Sequence, residues 1–468
     1  MLASRRVYIE NYGCQMNDYD VARLVEVLRR DGYERTEAVE DADLVLIETC
    51  AIREKSELKV QSAAGRYKGK TKEGALVAIG GCVAQQEGPK LLRRIPNADL
   101  TFGPDQIVNL PSLLRRVKTE KRRIAATEVI DVEDYAFLDA DPQPGDVRVT
   151  ALVTIQKGCD NHCAYCVVPN TRGREVSRPV EEVVAEARRF IAAGAREITL
   201  IGQNVNSYHG VKQLDQDGNP VDDQFAELLR QVDAIEGLAR LRYTTSHPKD
   251  FTRAVAEAHR DLVRLGTWLH LPVQSGSTRV LAAMKRDYSV EEYLAKLDHA
   301  RSLVPDLSIT SDLIVGYPGE TIADHEATLA LLERARYDAI YSFAYSARPG
   351  TAALTLGDDV PVEEKSRRLQ EVQALQRRIT GERLARFVGK EVDVLVEGES
   401  RVGGQVCGRS SGNQMVNVDL PAGARVEELV GRVVKVRIGV ARTNTLAGQL
   451  PSESLSDMIS GSLDGALA

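Results

Sequence analysis

The sequence predicts an α/β protein built from an N-terminal parallel α/β domain (Rossmann-like), a central partial (β/α)6 barrel of the TIM type and a small C-terminal β-barrel. Three observations lead to this fold class. Apolar runs alternate with amphipathic stretches early in the chain, six strand candidates separated by helical segments follow, and short alternating strands with glycine turns come last. At 468 residues the chain also exceeds the roughly 100–200 residues of one ordinary domain.

The composition is that of a folded, water-soluble chain. Hydrophobic residues make up 43% and charged residues 28% of the sequence. The start, MLASRRVYIE, lacks the apolar core of a signal peptide, and no segment approaches the roughly 20 apolar residues of a membrane span. We therefore expect a cytoplasmic protein without a membrane partner. The net charge of −7 argues against indiscriminate binding to nucleic acid.

The first domain is predicted over residues 5–122 from a βαβ rhythm. Its strand and helix candidates are RVYIENYG, DYDVARLVEVLRRDGY, ADLVLIETC and ALVAIGGC. Cys14, Cys50 and Cys82 each follow one of the strands, and the carboxyl ends of parallel strands share one edge of a sheet. The three thiols could meet there, although isolated buried cysteines are an alternative. A linker is expected near 125–147.

The central barrel is predicted over residues 145–376. Its six strand candidates are VTALVTIQKG, EITLIGQNV, LRYTTSH, TWLHLPVQ, SITSDLIVGYPGE and AIYSFAYSARPG. Polar residues cluster at the ends of these strands, which is where the active sites of such barrels lie. They are Gln203, Asn204, His247, Gln274, Ser275 and Glu320. Turn and capping roles are the alternative for each of them.

The C-terminal part begins after a long arginine-rich helix, EEKSRRLQEVQALQRRITGERLARF, whose arginines could form a solvated face. Strands such as EVDVLVEG, QMVNVDL and RVVKVRIGVA predict a small β-barrel over residues 379–447. Residues 448–468 are predicted to be a disordered tail.

The strongest motif is Cys159-x3-Cys163-x2-Cys166, on the loop after the first barrel strand. Thiolates select iron-sulfur clusters or zinc. Structural zinc wants four protein ligands, and the only further candidate is His162, which lies awkwardly between two cysteines. A four-iron cluster held by three cysteines keeps one iron open. This spacing resembles the radical S-adenosylmethionine superfamily, which implies that S-adenosylmethionine binds that iron and yields a 5′-deoxyadenosyl radical.

Over residues 5 to 447 the chain resembles the methylthiotransferase family of these enzymes. The motifs that carry the resemblance are YGCQMND at 12–18, GCDNHCAYCVVPNTRGREVSRP at 158–179, LIGQNVNSY at 200–208, TSHPKD at 245–250, LHLPVQSGSTRVLAAMKRDY at 269–288, SDLIVGYPGET at 311–321 and ARPGT at 347–351. The family implies that the C-terminal barrel is a TRAM domain that binds tRNA. It also implies a second 4Fe-4S cluster on Cys14, Cys50 and Cys82, where the inserted sulfur docks.

Further site residues follow from the resemblance. The strand-end residues and Arg174 would contact S-adenosylmethionine, with Glu320 on the adenine side. Phosphates of tRNA would be contacted by arginines of the cluster loop, the long helix and the C-terminal barrel, since guanidinium groups match phosphates. These RNA candidates are Arg172, Arg377, Arg378 and Arg442.

The implied reaction adds a methylthio group to carbon 2 of N(6)-isopentenyladenosine at position 37 of tRNA, next to the anticodon. One S-adenosylmethionine would supply the methyl group and a second the radical. A low-potential donor such as flavodoxin or ferredoxin would supply electrons to a monomeric enzyme. The alternatives are the sibling enzymes acting on threonylcarbamoyladenosine or on a ribosomal-protein aspartate, and a non-catalytic iron-sulfur RNA-binding redox sensor.

Overall fold

The computed structural model describes residues 5–51, 60, 62–63, 65–67, 69–142, 145, 147–211, 223–420 and 424–451. Most of the predicted C-terminal tail, residues 452–468, therefore lies outside the described residues. Within them, no helix is both long enough and apolar enough to cross a membrane.

The N-terminal domain is one parallel sheet of six strands in the order β2-β1-β3-β4-β5-β6. The strands are β1 Arg5–Asn11, β2 Tyr33–Arg35, β3 Leu44–Thr49, β4 Leu76–Gly81, β5 Leu100–Phe102 and β6 Ile124–Ala126. Helices α1 Gln15–Arg30, α2 Cys82–Arg94 and α3 Leu110–Glu120 pack on the sheet. β3 and β4 are buried along their whole length, as strands in the middle of a covered parallel sheet are.

The sheet extends past the predicted end of the domain. Residues 124–126 form its edge strand, so the first stretch of the expected 125–147 linker belongs to the sheet. Three-residue strands such as this one are too short to show an alternating pattern in the sequence. From Thr127 to Val149 the described residues contain no helix or strand.

The central domain confirms the predicted partial barrel. Its parallel strands pair as β7-β10-β11 and as β12-β13-β14, with one bridge from Leu241 to Leu265 beside the junction. The strands are β7 Thr150–Thr154, β10 Glu197–Ile201, β11 Arg240–Tyr243, β12 Trp268–His270, β13 Ser308–Val315 and β14 Ala339–Ala344. A separate hairpin pairs β8 Gln156–Lys157 with β9 Val176–Ser177. In the described residues no ladder joins β14 to β7, so the barrel is open on that side.

Helices cover the outside of the barrel. They are α5 Val180–Ala192, α6 Gln224–Asp233, α7 Arg253–Asp261, α8 Thr278–Ala283, α9 Val290–Leu303 and α10 Ile322–Ala335. The short helix α4 Val168–Arg172 lies instead between the central barrel and the N-terminal domain. The outward faces of the strands, with Leu241, Leu269 and Ile309, join the helices in the largest hydrophobic core. The opposite faces of the same strands line the barrel interior.

The predicted long helix is α11 Val362–Ala385, and it leads into a closed five-stranded barrel. The strands of this barrel are β15 Glu391–Glu399, β16 Gln405–Ser410, β17 Met415–Asp419, β18 Val433–Ala441 and β19 Leu446–Gln449, with a short helix α12 Val426–Leu429. Its β16–β17 turn docks on the amino ends of the central strands. Arg242 Nη1 donates to Ser411 O at 3.0 Å, and Gln414 Nε2 donates to Ser308 Oγ at 2.6 Å.

The N-terminal domain docks on the other end of the central barrel. Met16 and Tyr19 of α1 form a small buried cluster with Ile201 at the end of β10, and Cys14 and Leu152 pack against this cluster. The two terminal domains therefore lie at opposite ends of the central strands.

Candidate functional site

The loop carrying Cys159, Cys163 and Cys166 starts at a position where only glycine fits. Gly158 has φ +76°, and a Cβ atom there would lie 2.0 Å from the carbonyl oxygen of Arg174. The Gly158 N–H donates to Gln203 Oε1 at 2.5 Å, which ties the loop to the end of β10. The loop then turns back, because Cys166 N–H donates to Cys163 O at 3.0 Å.

Two nitrogen groups from other loops of the central domain approach Cys163. Arg286 Nη1 donates to Cys163 Sγ at 3.5 Å, and His247 Nε2 lies 3.9 Å from the same sulfur. Burial, followed by the charges of Arg286 and Lys249, lowers the pKa of His247 to about 2, so its ring is neutral. Since Nδ1 accepts the Lys249 N–H, the ring proton lies on Nε2 and points to the sulfur.

The other two thiols of the loop are poorly solvated. Burial raises the pKa of Cys166 to about 12 and also raises the pKa of Cys159, while nearby backbone N–H groups act in the opposite direction. These donors are Val168 N–H, 3.5 Å from Cys166 Sγ, and Asn161 N–H, 3.4 Å from Cys159 Sγ. They are placed to hold thiolates once a metal replaces the protons.

Two of the predicted strand-end residues have buried polar atoms without a partner among the described residues. Gln203 Nε2 and Asn204 Oδ1 are in this state, and so is Ser246 Oγ, next to His247. Asn204 is otherwise held in place, since its Nδ2 donates to Asp250 Oδ2 at 2.7 Å. Unpaired buried polar atoms are costly unless a ligand satisfies them, so this edge suits a polar cofactor.

Gln274, Ser275 and Glu320 hold turns at the neighbouring strand ends. Gln274 has φ +75° and bridges to β13, and Ser275 Oγ accepts Ser277 N–H at 3.2 Å. Glu320 Oε1 accepts from Gly316 N–H at 2.9 Å and from Arg368 Nη1 at 2.7 Å. These contacts place Ser275 and Glu320 in the framework of the turns, which matches the alternative of capping and turn roles.

Arg174 is on the surface. Its side chain is 77% exposed and binds Asp160 through two nitrogens, Nε and Nη2, at 3.1 and 2.7 Å. The structure therefore does not bring Arg174 into the group formed by Gln203, His247 and the cluster loop.

The three N-terminal cysteines meet at the carboxyl edge of the six-stranded sheet. Cys14 precedes α1, Cys50 follows β3 and Cys82 begins α2. The pKa of Cys14 is lowered to about 6, mainly by a hydrogen bond from the Cys50 thiol. Burial opposes this shift, and a hydrogen bond from Asn17 N–H assists it. Burial raises the pKa of Cys82, against the pull of the Arg172 charge. The prediction that these thiols are neighbours therefore agrees with the geometry.

Arg172 is inside the protein, beside these cysteines. It is 5% exposed, donates a hydrogen bond to Cys82 and pairs with the buried carboxylate of Asp20. A guanidinium so enclosed cannot reach an RNA phosphate, and the RNA contact predicted for Arg172 is corrected to a role at the N-terminal triad. Because Arg172 ends α4, six residues after Cys166, the two cysteine sites are close neighbours.

A carboxyl group completes the N-terminal site. Glu48 is fully buried, and burial raises its pKa well above the ordinary value. Its Oε1 accepts from Asn17 Nδ2 at 3.1 Å, and its Oε2 has no partner among the described residues. Gly80 and Gly81 leave the room for it, since a Cβ atom on either would lie 2.4 Å from a Glu48 oxygen.

The remaining RNA candidates lie on the surface. Arg378 pairs with Glu333 and Glu382, whereas Arg377 and Arg442 are exposed and make no ion pair within the described residues. Arg442 belongs to the small barrel, at the end of the central strands away from the cysteines. RNA that touches both the cysteine edge and this barrel must therefore run along the side of the central domain.

The residues present fit iron-sulfur clusters. Each site offers three cysteine thiols, the donor set that leaves one iron of a four-iron cluster open. No three His, Cys, Asp or Glu side chains in the described part of the chain converge tightly enough for a single ion. A cubane cluster differs in this respect, since each cysteine binds its own iron.

Sequence reasoning missed Arg286, Glu48 and Asp20. Arg286 stands in the quoted motif at 269–288, but nothing in the linear order indicates that it turns toward Cys163. Charged residues inside apolar strands or helix faces were the available signal, and Glu48 in LVLIETC is an example.

Comparison with known proteins assigns each part of the chain. Uncharacterized protein family UPF0004 matches residues 6–103, the Radical SAM superfamily matches residues 153–332 and the TRAM domain matches residues 385–450. The central match contains the Cys159 loop, and its superfamily implies S-adenosylmethionine and a 4Fe-4S cluster at that loop.

Curated relatives align over nearly the whole chain. The tRNA-2-methylthio-N(6)-dimethylallyladenosine synthase of Anaeromyxobacter sp. (strain K) is 50% identical, covering 95% of this chain and 94% of the relative. The protein of that name from Myxococcus xanthus (strain DK1622) is 45% identical, with 95% and 94% covered. Among solved structures, the radical S-adenosylmethionine methyltransferase TsrM from Kitasatospora setae has a TM-score of 0.56 at 15% identity, covering 75% and 77% of the two chains. That likeness shows the fold alone.

Proposed function

The chain belongs to the family of tRNA-2-methylthio-N(6)-dimethylallyladenosine synthases, and from this membership we propose that it adds a methylthio group to carbon 2 of N(6)-isopentenyladenosine at position 37 of tRNA. The family predicted from the motifs is thereby confirmed. The same proposal includes a second 4Fe-4S cluster, on Cys14, Cys50 and Cys82. It also includes a flavodoxin or ferredoxin as electron donor and a monomeric enzyme in the cytoplasm, where tRNA is.

The observation that carries the proposal is the adjacency of the two cysteine triads. Arg172, six residues after Cys166, forms a hydrogen bond with Cys82 of the other triad. A reaction that joins a sulfur-containing group to a carbon radical needs the sulfur source and the radical source within reach of one substrate atom. A protein that only sensed redox state would not need this arrangement.

The residues of the chain hold and shield the reacting groups. When bound at the Cys159 loop, the cluster and S-adenosylmethionine supply a radical able to take hydrogen from an aromatic C–H bond, which acid-base chemistry cannot do. Arg286 and His247 fix Cys163, and Gln203 fixes the start of the loop. Met16 and Tyr19 cover the end of β10 and keep water from it.

Reaction of the reconstituted full-length enzyme tests the proposal. The enzyme is reduced and incubated with S-adenosylmethionine and tRNA bearing isopentenyladenosine, and the nucleosides are measured by mass spectrometry. We expect methylthio-isopentenyladenosine and 5′-deoxyadenosine, with neither from Cys163→Ala. Product only from tRNA bearing threonylcarbamoyladenosine would assign the sibling substrate. No 5′-deoxyadenosine from any RNA would favour the non-catalytic sensor.

A further inference from the structure

The open side of the central barrel carries exposed aromatic side chains. Tyr341 is 57% and Phe343 41% exposed, both on β14, the last strand. They are the only strongly exposed Phe, Tyr or Trp side chains in the part of the chain that the structure describes. Exposed aromatic surface of this kind marks a binding site more often than exposed aliphatic residues scattered one by one.

Two further rings extend this surface into the barrel. His270 lies 6.0 Å from Tyr341 in an edge-to-face arrangement, and Trp268 stacks on His270 at 6.1 Å with an interplanar angle of 23°. Strand register explains the contacts, since Tyr341 is paired with Asp312 and His270 with Thr310. We call Trp268, His270, Tyr341 and Phe343 the aromatic wall.

Hydrogen bonds fix the inner half of the wall, Trp268 and His270. Trp268 Nε1 donates to Thr310 Oγ1 at 3.0 Å, and His270 Nδ1 lies 3.0 Å from the same oxygen. The Asp312 side chain, 28% exposed and 3.6 Å from His270 Nε2, offers carboxylate oxygens beside the rings. The wall thus presents ring surfaces on two neighbouring parts of the barrel, with the carboxylate oxygens of Asp312 beside them.

The wall connects the two ends of the central domain. At one end, Thr267 N–H donates to Ser411 Oγ of the small barrel at 3.0 Å, directly before Trp268. At the other, Asp312 O accepts the N–H of Gln274, one of the strand-end residues near the cysteines, at 2.9 Å. The wall therefore offers RNA a path along the central domain between these two ends.

We propose that the aromatic wall binds an unstacked nucleobase of the RNA substrate, a loop neighbour of the base that is modified. The inference rests on the proposed function and adds the place where the loop is held. Bases splayed out of single-stranded loops stack on aromatic side chains and hydrogen-bond through their edges, and ring faces beside Asp312 provide both contacts. A double-stranded stem exposes no base face and would gain nothing from the wall.

Trp268 allows a direct test, because it is the only tryptophan in the sequence. The reconstituted full-length enzyme is titrated with a synthetic anticodon stem-loop RNA, and tryptophan fluorescence is recorded together with the binding constant. We expect the RNA to quench Trp268. Tyr341→Leu, which keeps an apolar side chain but removes the ring, should weaken RNA binding about 5- to 150-fold, while Tyr341→Phe stays near wild type.

The outcomes separate this inference from the proposed function. If RNA binds tightly without quenching Trp268, and Tyr341→Leu binds it equally well, the aromatic wall does not bind a base. That result would leave the proposed function intact. Absence of any RNA binding by the wild type would overturn both. S-adenosylmethionine is titrated alone as the second probe, and a weakening of its binding by Tyr341→Leu equal to that of RNA would assign the wall to the cofactor and overturn the inference.

Discussion

The Arg172 guanidinium donates hydrogen bonds from both terminal nitrogens to the Asp20 carboxylate, and Nη1 lies 3.2 Å from Oδ1. Asp20 lies on α1 of the N-terminal domain, and Arg172 ends α4, directly after the cluster loop of the central domain. Each side chain is 5% exposed. The pair thus joins two domains at the point where their cysteine sites are closest.

Breaking this pair from one side should destabilise the protein strongly. Arg172→Gln leaves the Asp20 carboxylate buried without its cation, which typically costs about 3–5 kcal/mol of the free energy of unfolding. Asp20→Asn should cost a similar amount. The double variant removes both charges and should be less destabilised than the sum of the single variants. Denaturant unfolding followed by circular dichroism checks this, and additive losses would show that the two residues do not act as a pair.

Gly158→Ala should disable the cluster loop. The added Cβ would lie 2.0 Å from Arg174 O, so the loop must shift, and a misplacement of about 1 Å can cost about 100-fold in rate. Gly357→Ala is the matched control, because Gly357 has nearly the same φ, +78°, and open space around its Cβ position. Cleavage of S-adenosylmethionine measures the effect. Equal losses in the two variants would mean that backbone strain, and not the close approach, decides the result.

Protonation of His259 at acid pH should lower the free energy of unfolding of the central domain. Burial lowers the pKa of this imidazole to about 4, from 6.5, and a hydrogen bond with Gly266 O opposes the shift only in part. Between these values the unfolded chain binds a proton that the folded chain does not. Stability is therefore complete above pH 6.5 and falls toward pH 4, by about 3 kcal/mol. Denaturant unfolding at several pH values measures this, and in His259→Gln the free energy of unfolding should depend less steeply on pH. An unchanged slope would show that the pH dependence comes from other groups.

The long elements of the fold were predictable because their patterns are strong. Strands such as Leu44–Thr49 begin with an unbroken apolar run, and α1 has a clear apolar face. The three-residue strands Tyr33–Arg35, Leu100–Phe102 and Ile124–Ala126 were not, since so few residues carry no period. They form through pairing with neighbours that are already in the sheet.

The site was predictable where the chemistry is local. Cys159, Cys163 and Cys166 share one loop, and Cys14, Cys50 and Cys82 each follow a strand of the sheet. Arg172 was assigned to RNA because the sequence alone does not show whether an arginine is exposed to RNA or buried. The structure buries it against Asp20. Which face of α4 is covered depends on how the two domains dock, and that is a property of the fold.

We expect the two triads to divide the work, with the Cys159 loop producing the radical and the N-terminal triad presenting the sulfur. Replacing Cys14, Cys50 and Cys82 together by Ala should abolish methylthiolation and preserve cleavage of S-adenosylmethionine. Replacing Cys159, Cys163 and Cys166 should abolish both. Cys407→Ala is the control, since this cysteine lies in the small barrel and should change neither reaction.

This division of labour is tested by quantifying 5′-deoxyadenosine and methylthio-isopentenyladenosine in the same reaction of the Cys14→Ala, Cys50→Ala and Cys82→Ala triple variant. We expect 5′-deoxyadenosine to form and the methylthio nucleoside to be absent. Equal loss of both products, in a protein whose circular dichroism matches the wild type, would contradict it.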